Sequence, residues 1–381
     1  MNGNDEMYMQ RAIELAKRGI GSTAPNPAVG CVLVKDGQII GEGYHHQAGG
    51  PHAEVFALRQ AAANAKDATA YVTLEPCSHF GRTPPCALGL IEAGVRRVVV
   101  AMKDPNPLVS GRGLEMLHDA GILVKVGVLE SEARQLNPEF LFKMQHQRPL
   151  VRLKIASSLD GAVALANGQS QWLTGEAARA DVQAYRARSC AILSTAETVK
   201  MDKATLTVRR EDLTRLDNGE LRQPLRIILD RRCRLTGFEP LFHTGGDLVL
   251  VHCGEPASWP ALELPQDHPR QVSRWRIGLD AVGQLDVAEL FMKLRGEKLN
   301  SIFVEAGSKL ASSLWHQQLV DELIVYQAPI LLGASAKPLL EIGMLKQLDQ
   351  APRWRWQEAS VIGADVRLVA RLTDEADPSK L

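Results

Sequence analysis

PHAEVFALRQ, residues 51–60, has a histidine and a glutamate two positions apart at the start of a predicted helix. A second stretch, TLEPCSHFGRTPPC, residues 73–86, has two cysteines nine positions apart around a proline-rich loop. Imidazole nitrogen and thiolate sulfur are ligands that zinc prefers, and a catalytic zinc takes three protein ligands and keeps one position for water. The pattern therefore predicts a zinc site formed by His52, Cys77 and Cys86.

Glu54 is predicted to be catalytic rather than a ligand. It follows His52 by two residues, so its carboxylate can face a metal-bound water, take a proton and pass it to a leaving group. A single histidine or cysteine in such a domain is usually structural, but the joint pattern is far rarer. A structural zinc usually takes four ligands. His79, inside the loop, could supply a fourth, but we expect it to contact the substrate.

The elements around this motif alternate between strand and helix. Asp36-Gly37 is a strong hairpin signal between the first two strands. The predicted strands are 28–34, 38–44, 69–75, 96–102 and 122–128, and the predicted helices are 5–18, 52–65, 86–93, 112–120 and 130–143. An opening hairpin followed by this alternation predicts a three-layer α/β/α domain that ends near residue 147.

A second α/β series begins at residue 151. Its predicted strands are 151–158, 190–194, 225–230, 247–253, 301–306 and 321–328, and its predicted helices are 175–188, 286–295 and 307–318. Residues 254–280 show no periodicity and are predicted to be connections, and the polar tail 373–381 is predicted to be frayed. GIGSTA (19–24) fits a loose dinucleotide fingerprint, but it follows a helix rather than a strand and is therefore excluded.

Composition restricts the class of protein. The 381 residues include 44 basic and 44 acidic side chains, so the net charge is zero, and neither nucleic acid nor a membrane is an expected partner. No apolar run is long enough to span a bilayer, and the first ten residues lack the apolar core of a secretory signal. Six cysteines are few for this length, which favours a reducing, cytoplasmic location.

The first half resembles the zinc-dependent nucleoside and nucleobase deaminases, whose signature is H-x-E followed by P-C-x-x-C. Here eight residues separate Cys77 from Cys86. PNPAVGCVLV, GEGYHHQAGGPHAE and TLEPCSHFGRTPPC together are similar to the deaminase half of the RibD family of bifunctional riboflavin-biosynthesis proteins. This resemblance implies a cytidine-deaminase-like domain over residues 1–147, one zinc per chain, and a place for Asn26 in the pyrimidine pocket. A turn residue between two prolines is the alternative for Asn26.

The second half is similar to the reductase domain of the same family. The similarity is carried by RPLVRLKIASSLDGAVA (148–164), GQSQWLTG (168–175), AILSTAETVKMDKATLTVR (191–209) and VEAGSKLASSLW (304–315). It implies a dihydrofolate-reductase-like α/β domain over residues 148–381, NADPH as cofactor and a phosphorylated pyrimidine as substrate. The implied cofactor neighbours are Ala156, Trp172, Thr198, Asp202 and Gly307, and the implied substrate neighbours are Lys154, Ser170, Arg186, Leu206, Arg209 and Glu305.

Some of these positions have alternatives. Arg186 could be a solvated helix residue and Trp172 an ordinary core residue, whereas Lys154 interrupts an apolar strand, which favours function. The chain also departs from the family's pattern. Lys203 stands where an acidic residue is common, and Ala196 and Ala306 stand where glycines are usual. These departures concern contacts with the cofactor, and the sequence does not distinguish NADPH from NADH.

The resemblance implies a bifunctional enzyme. Zinc-dependent hydrolytic deamination of 2,5-diamino-6-ribosylamino-4(3H)-pyrimidinone 5′-phosphate would precede NADPH-dependent reduction to 5-amino-6-ribitylamino-uracil 5′-phosphate. We also expect a homo-oligomer, a dimer or a tetramer. One alternative is a nucleic-acid-editing deaminase, which needs a basic, aromatic-lined face; the zero net charge and the long cysteine loop argue against it. The other is a zinc-stapled binding module, which would have no use for Glu54.

Overall fold

The chain forms two compact units. The computed structural model describes residues 3–80, 84–107, 109–210, 212–213, 215–264 and 271–372, so the predicted frayed tail lies outside the described residues. The first unit comprises Met1–Arg148 together with Asp212–Arg222, and the second comprises Pro149–Glu211 together with Gln223–Leu381. A short segment from the second half of the sequence therefore belongs to the first unit.

The first unit is a five-stranded sheet covered by helices. Its order is β2-β1-β3-β4-β5, in which β1 runs antiparallel to β2 and β3, and β3, β4 and β5 are parallel. The elements are α1 (Gly3–Lys17), β1 (Gly30–Lys35), β2 (Gln38–Tyr44), α2 (Ala53–Ala61), β3 (Thr69–Val72), α3 (Cys86–Glu92), β4 (Arg97–Val100), α4 (Arg112–Asp119), β5 (Leu123–Val126), α5 (Glu130–Leu136) and α6 (Pro138–His146). The three-layer architecture expected from the alternation is confirmed.

Two local features show how sequence shapes this unit. Asp36 and Gly37 both have positive φ, 51° and 75°, as the predicted two-residue hairpin requires. The single helix expected at 130–143 is wrong, because the chain breaks between α5 and α6 at Asn137. Pro138 has no N–H to continue the first helix and disfavours helical backbone at the preceding residue, but it is well placed to begin a new helix.

Helix α2 lies unusually close to strand β2. A Cβ atom on Gly43 would lie 2.3 Å from the carbonyl oxygen of Ala53, and one on Gly41 would lie 2.2 Å from that of Ala57. These distances are far below van der Waals contact, so only glycine fits at both positions. Ala53, Ala57 and Ala61 form the buried face of the helix. Small residues on both elements therefore determine where the first turn of α2 lies.

The second unit is a nine-stranded sheet with the order β11-β10-β9-β8-β12-β6-β13-β16-β15. Its strands run parallel except β16, which pairs antiparallel with both β13 and the edge strand β15. The elements are β6 (Leu150–Ser157), β7 (Ala162–Ala164), α7 (Glu176–Arg188), β8 (Ala191–Thr195), α8 (Ala196–Asp202), β9 (Leu225–Leu229), β10 (Leu248–His252), β11 (Val272–Arg276), α9 (Val287–Arg295), β12 (Ser301–Glu305), α10 (Ser308–His316), β13 (Glu322–Gln327), β14 (Lys337–Pro338), β15 (Trp354–Ile362) and β16 (Asp365–Leu372).

The outer strands of this sheet were the hardest to predict. Strand β11 falls within 254–280, which was expected to be connections, and that expectation is wrong. Its sequence VSRWR is polar and only partly buried, so it lacks the apolar run of a central strand. Strand β15 is largely exposed, and its alternation is correspondingly weak.

The sheet has a switch point at its centre. From β8 the chain continues outward through β9, β10 and β11, whereas β12 pairs with the opposite side of β8. Helix α8 follows β8 directly, and α10 follows β12 after two residues. In open α/β sheets, ligands bind outside the carboxyl ends of strands at such a point.

No helix in the described part of the chain combines the length and the apolar character needed to cross a membrane.

The tight packing of α2 gives the first prediction. Gly43→Ala should destabilise the first unit by about 1–3 kcal/mol, the usual cost of overpacking, because its Cβ would meet Ala53. The control is Gly89→Ala inside α3, where the nearest atom to the added Cβ is Leu58 Cδ1 at 3.7 Å; alanine should be neutral or stabilising there. Urea unfolding, followed through the hydrogen exchange of α2 peptides, measures both. Equal midpoints for Gly43→Ala and wild type would contradict the packing argument.

Candidate active sites

Three soft ligands converge at one edge of the first sheet. His52 precedes α2, Cys77 follows β3 and Cys86 is the first residue of α3. His52 Nδ1 lies 3.2 Å from Cys86 Sγ and 3.6 Å from Cys77 Sγ, and the three ligand atoms all lie within 4.8 Å of one another. Tetrahedral zinc with its usual bond lengths separates such atoms by about 3.5–3.8 Å. The three side chains therefore fit a zinc ion.

A hydrogen bond between the two thiol groups shifts their pKa values in opposite directions. The pKa of Cys77 is lowered to about 4, chiefly by a hydrogen bond from the Cys86 thiol and further by His52 and the Cys86 backbone N–H. The pKa of Cys86 is raised, first because its thiol bonds to Cys77 and then because it is buried. A divalent cation that displaces the proton of the Cys86 thiol leaves both sulfurs as thiolates, as metal binding requires.

Glu54 lies beside these ligands on the first turn of α2. Its side chain is almost fully buried, and its Oε2 atom has no hydrogen-bond partner among the described residues. Burial raises the pKa of the carboxyl group, although the nearby His52 opposes the shift. An unpaired buried acceptor costs free energy, so it indicates a group that pairs with a bound molecule. The carboxyl group is therefore placed to exchange a proton with a bound water or substrate.

Asn26 is held near the zinc ligands by His45. The Nδ1–H of His45 donates to the Pro51 carbonyl at 2.9 Å, which leaves Nε2 to accept from the Asn26 amide at 3.1 Å. Burial lowers the pKa of His45, which keeps the ring neutral. The same ring meets His52 edge-on, with 5.4 Å between centroids. Because the Asn26 nitrogen bonds to His45, its Oδ1 atom is left as an acceptor for a ligand.

Two acidic residues near the site did not emerge from the sequence analysis. Glu75 is buried and accepts backbone N–H groups from Asp104, Gly111 and Gly113 at 3.0–3.2 Å. Burial raises the pKa of Asp104 to about 6, and the charges of Cys77 and His79 also act on it. Glu75 follows β3, and its three hydrogen bonds hold the segment after β4 that contains Asp104. For Asp104, the sequence signal that could have been used is KDPNP (103–107), in which two prolines restrict the backbone at the carboxyl end of a parallel strand.

His79 is exposed on the loop between the two cysteines. It is close enough for its charge to influence Asp104. Residues 81–83 of the same loop lie outside the described residues, so the described part of the loop brings His79 toward the site without fixing a ligand contact.

A charged cluster occupies the centre of the second sheet. Lys154 on β6 pairs in register with Glu305 on β12. Arg186 on α7 binds both carboxylate oxygens of Glu305, at 2.6 and 3.0 Å, and donates to Thr207 O at 2.9 Å. Burial lowers the pKa of Lys154. Burial is the largest influence on the pKa of Glu305 and acts to raise it, but the charge and hydrogen bonds of Arg186, together with the charges of Lys154 and Arg209, make the net shift downward.

This geometry alters two of the expected roles. Arg186 is turned inward rather than solvated, and its donors go first to Glu305, so a substrate phosphate would have to compete with that carboxylate. Leu206 is 2% exposed and packs in the hydrophobic core, so only its backbone, which has a positive φ of 54°, is left to contact a substrate. Arg209 is exposed and donates to Thr205 Oγ1 at 2.7 Å.

Other expected residues lie around the switch point. Thr195 Oγ1 accepts the backbone N–H of Thr198 at 3.2 Å and caps α8. Asp202, at the end of α8, accepts from Gln171 Nε2 at 2.6 Å, which ties this helix to the loop 168–175. Gly307 precedes α10, and nothing lies within 4 Å of where its Cβ would be. The open space before α10 therefore fits an anionic group, which helix N-termini favour.

The remaining expected residues border this region. Ala156 lies two positions after Lys154 on β6 and therefore shares its face of the sheet. Ser170 is exposed. Trp172 is 70% exposed, with the Arg179 guanidinium 4.7 Å from its ring centroid. The alternative interpretation of Trp172 as a core residue is thereby excluded.

Known proteins share both units. Residues 2–102 match the family described as the cytidine and deoxycytidylate deaminase zinc-binding region, and residues 149–368 match the RibD C-terminal domain. The riboflavin biosynthesis protein RibD of Haemophilus influenzae is 48% identical over 372 residues, which cover 96% of this chain and 97% of the relative. The chain belongs to the RibD family. The RibD protein of Escherichia coli K12 is likewise 48% identical, over 370 residues.

Solved RibD structures agree with the fold. Acinetobacter baumannii RibD superposes with a TM-score of 0.86 at 44% identity, covering 97% of this chain and 99% of that one. A Thermotoga maritima protein described as a diaminohydroxyphosphoribosylaminopyrimidine deaminase/5-amino-6-(5-phosphoribosylamino)uracil reductase superposes with a TM-score of 0.81 at 34% identity, with the same coverage. The expected fold class is confirmed. The chain is a bifunctional RibD enzyme of riboflavin biosynthesis, with a deaminase and a reductase domain, and not an editing deaminase or a binding module.

The metal centre gives the second prediction. Purified protein should contain about one zinc per chain, and Cys77→Ser and Cys86→Ser should each lose most of it, because a catalytic zinc relies on three protein ligands. Cys253→Ser is the matched control: its thiol donates to Arg231 O at 3.3 Å, a bond that a serine hydroxyl can also make. Elemental analysis after dialysis measures the metal. Undiminished zinc in both ligand variants would show that the ligands are misassigned.

Proposed function

We propose that the first unit hydrolyses an amino group from 2,5-diamino-6-ribosylamino-4(3H)-pyrimidinone 5′-phosphate. The second unit then uses NADPH to reduce the product to 5-amino-6-ribitylamino-uracil 5′-phosphate. The observation that carries the first step is the unpaired buried oxygen of Glu54 beside the His52, Cys77 and Cys86 cluster. A binding module has no need of that carboxylate, whereas hydrolysis needs a group that takes and returns a proton.

In the deaminase step, His52, Cys77 and Cys86 would hold the zinc, which when bound would lower the pKa of a water molecule and so activate it. As the oxygen of water bonds to the ring carbon, Glu54 takes at Oε2 the proton that the water loses. It delivers this proton to the amino group, whose C–N bond breaks to release ammonia. Its raised pKa suits this work, because the carboxyl group must both accept and release the proton. Asn26 accepts a hydrogen bond from the pyrimidine at Oδ1, and His45 holds its amide in that orientation.

We assign Asp104 and His79 to the mouth of the same pocket. Asp104 is fixed by the Glu75 carboxylate, which accepts its backbone N–H at 3.2 Å. Its raised pKa of about 6 makes it a group that can donate or accept a hydrogen bond near neutral pH. His79 lies on the exposed loop, where it can contact the phosphorylated side of the substrate.

In the reductase step, NADPH when bound would supply a hydride for C1′ of the opened sugar. Lys154 holds a proton at Nζ beside the sugar, and the charge of Glu305, its neighbour in register across β6 and β12, favours that proton. Arg186 fixes Glu305, and Arg209 takes the substrate phosphate, which arginine binds well. The Leu206 backbone and Ser170 border the substrate.

The cofactor is assigned to the switch point. The open space at Gly307 before α10 suits its pyrophosphate, with Ala156, Trp172, Thr198 and Asp202 along its length. Ala196, Lys203 and Ala306, which depart from the family's usual pattern, adjoin this region in sequence. Whether they affect the choice of nicotinamide cofactor is measured by comparing NADPH with NADH.

We also propose that the protein is a homo-oligomer in the cytoplasm. Trp356 and Val361 are exposed on the edge strand β15, which supports a homo-oligomer, a dimer or a tetramer; sedimentation velocity measures it. All six cysteines are free, which supports a reducing, cytoplasmic compartment.

Glu54→Gln gives the third prediction. The amide keeps the size of the side chain but cannot carry the proton, so deamination should fall about a hundredfold or more while zinc is retained. NADPH oxidation with 5-amino-6-(5-phosphoribosylamino)uracil should stay near the wild-type rate. Ammonia release and nicotinamide absorbance measure the two steps, and the exposed Glu115→Gln is the control. Loss of zinc would instead make Glu54 a ligand or a folding residue, and loss of both activities would mean that the units share one site.

The arginines of the second unit give the fourth prediction. Arg209→Ala should raise KM for the aminouracil phosphate about tenfold with little change in KM for NADPH, because it removes one charge-assisted bond. Arg186→Ala should chiefly lower kcat, because Glu305 loses its bidentate partner. Arg276→Ala, an exposed arginine at the end of β11, is the control. Steady-state NADPH oxidation measures all three variants. If Arg186→Ala changed only KM, Arg186 rather than Arg209 would be the residue that binds the substrate phosphate.

A further inference from the structure

One part of the first unit comes from a distant part of the sequence. Residues 215–222, here called the strap, follow α8 and precede β9 in the chain, yet they belong to the first unit. The strap has a defined shape: Arg215 and Leu221 form an antiparallel bridge. Gly219 closes the turn with a φ of 82°, a backbone conformation that favours glycine. It is therefore a preformed turn rather than a loose connection.

Two residues of the strap bind the rest of the first unit. Asp217 Oδ1 accepts the Nδ1–H of His46 at 3.2 Å, and the Asp217 backbone N–H donates to Gln47 Oε1 at 3.1 Å. Arg222 Nε donates to the Gly21 carbonyl at 2.8 Å. These bonds reach two separate loops, one before β1 and one before α2.

Both loops lead directly to the deaminase pocket. The first runs from Gly21 to Asn26, and the second runs from His46 to the zinc ligand His52. They are also joined to each other, because Ser22 Oγ donates to the His46 carbonyl at 2.5 Å. A displacement of either loop is therefore expected to move the other.

The His46 ring is clamped on its other sides by aromatic residues. It stacks on Phe56 of α2, with 4.1 Å between centroids and 7° between planes, and it meets Tyr44 at 4.2 Å. Asp217 thus holds the side of the His46 ring that the aromatic residues leave open. His45, the residue before it in the chain, orients Asn26 in the pocket.

We propose that Asp217 and Arg222 of the strap are positioning residues for the deaminase pocket. They act through the two loops, so a segment encoded within the reductase half keeps Asn26 in the orientation that substrate binding needs. The inference rests on the deaminase function proposed above. It accounts for residues 212–222 belonging to the first unit, and it means that a fragment ending at residue 147 would lack part of its own pocket support.

The test uses full-length Asp217→Ala, Arg222→Ala and the double variant. KM for the diaminopyrimidine phosphate should rise about fivefold in each single variant and further in the double variant, because loosened loops misplace Asn26. The kcat of deamination should stay within about twofold, because Glu54 is unchanged. Zinc content and NADPH oxidation with the aminouracil phosphate should match wild type. Arg222→Lys keeps a donor for Gly21 and should restore most of the KM.

Arg215→Ala is the matched control. It removes the same charge from the strap, but the Arg215 guanidinium bonds within the turn, to the Gly219 carbonyl at 3.0 Å. Its deaminase KM should therefore stay near wild type. An unchanged KM in the double variant, with wild type active, overturns the proposal. A joint loss of zinc and of both activities also overturns it, because the strap would then serve folding alone.

Hydrogen exchange separates this proposal from the function it rests on. With zinc bound, peptides covering residues 45–52 should exchange faster in Arg222→Ala than in Arg215→Ala. Equal exchange in the two variants overturns the strap's role even if the wild-type enzyme is active. If the wild-type enzyme released no ammonia from the diaminopyrimidine, the proposed substrate would be wrong. The exchange comparison would still decide the role of the strap.

Discussion

The close approach of helix to sheet in the first unit is the constraint on which its site depends. Gly43 lets the backbone of α2 lie directly against β2, and this places His52 and Glu54. Gly113 does the same for the other half of the motif, because a Cβ there would lie 2.0 Å from the carbonyl oxygen of Pro76, next to Cys77. Backbone contacts this short leave little freedom, so ligands from two parts of the chain meet within bonding distance of one ion.

The second unit achieves a comparable result with charge instead of close packing. Its parallel strands bring Lys154 and Glu305 side by side, and Arg186 neutralises Glu305 with two short hydrogen bonds. Breaking such a buried pair is costly, which keeps the ionised carboxylate beside the lysine. The proposed reductase site is thus preorganised by an ion pair, whereas the proposed deaminase site is preorganised by glycine contacts.

The two chemistries also differ in how much of the site is built from adjacent residues. His52, Glu54, Cys77 and Cys86 lie within 35 positions of one another, so a short motif describes the metal centre. The residues proposed for the reductase site extend from Lys154 to Gly307, and the order of the strands brings them to the centre of one sheet. Asn26 lies between these two cases. It is close in sequence to the metal ligands, but its position depends on a hydrogen bond to His45 and on a loop that the strap contacts.

The sequence by itself predicted the convergence of His52, Cys77 and Cys86, the role proposed for Glu54, the alternation of strands and helices, and, through family resemblance, both enzymatic halves. These follow from short-range patterns: ligand spacing, hairpin signals and apolar periodicity. Tertiary structure alone decided that Arg186 binds Glu305, that the Leu206 side chain is core, that Glu75 and Asp104 adjoin the metal site, and that residues 212–222 belong to the first unit. Each of these depends on contacts between residues far apart in the chain, which local patterns do not encode. The polar edge strands β11 and β15 escaped prediction for the related reason that half-exposed strands bury too little apolar surface to leave a periodic signal.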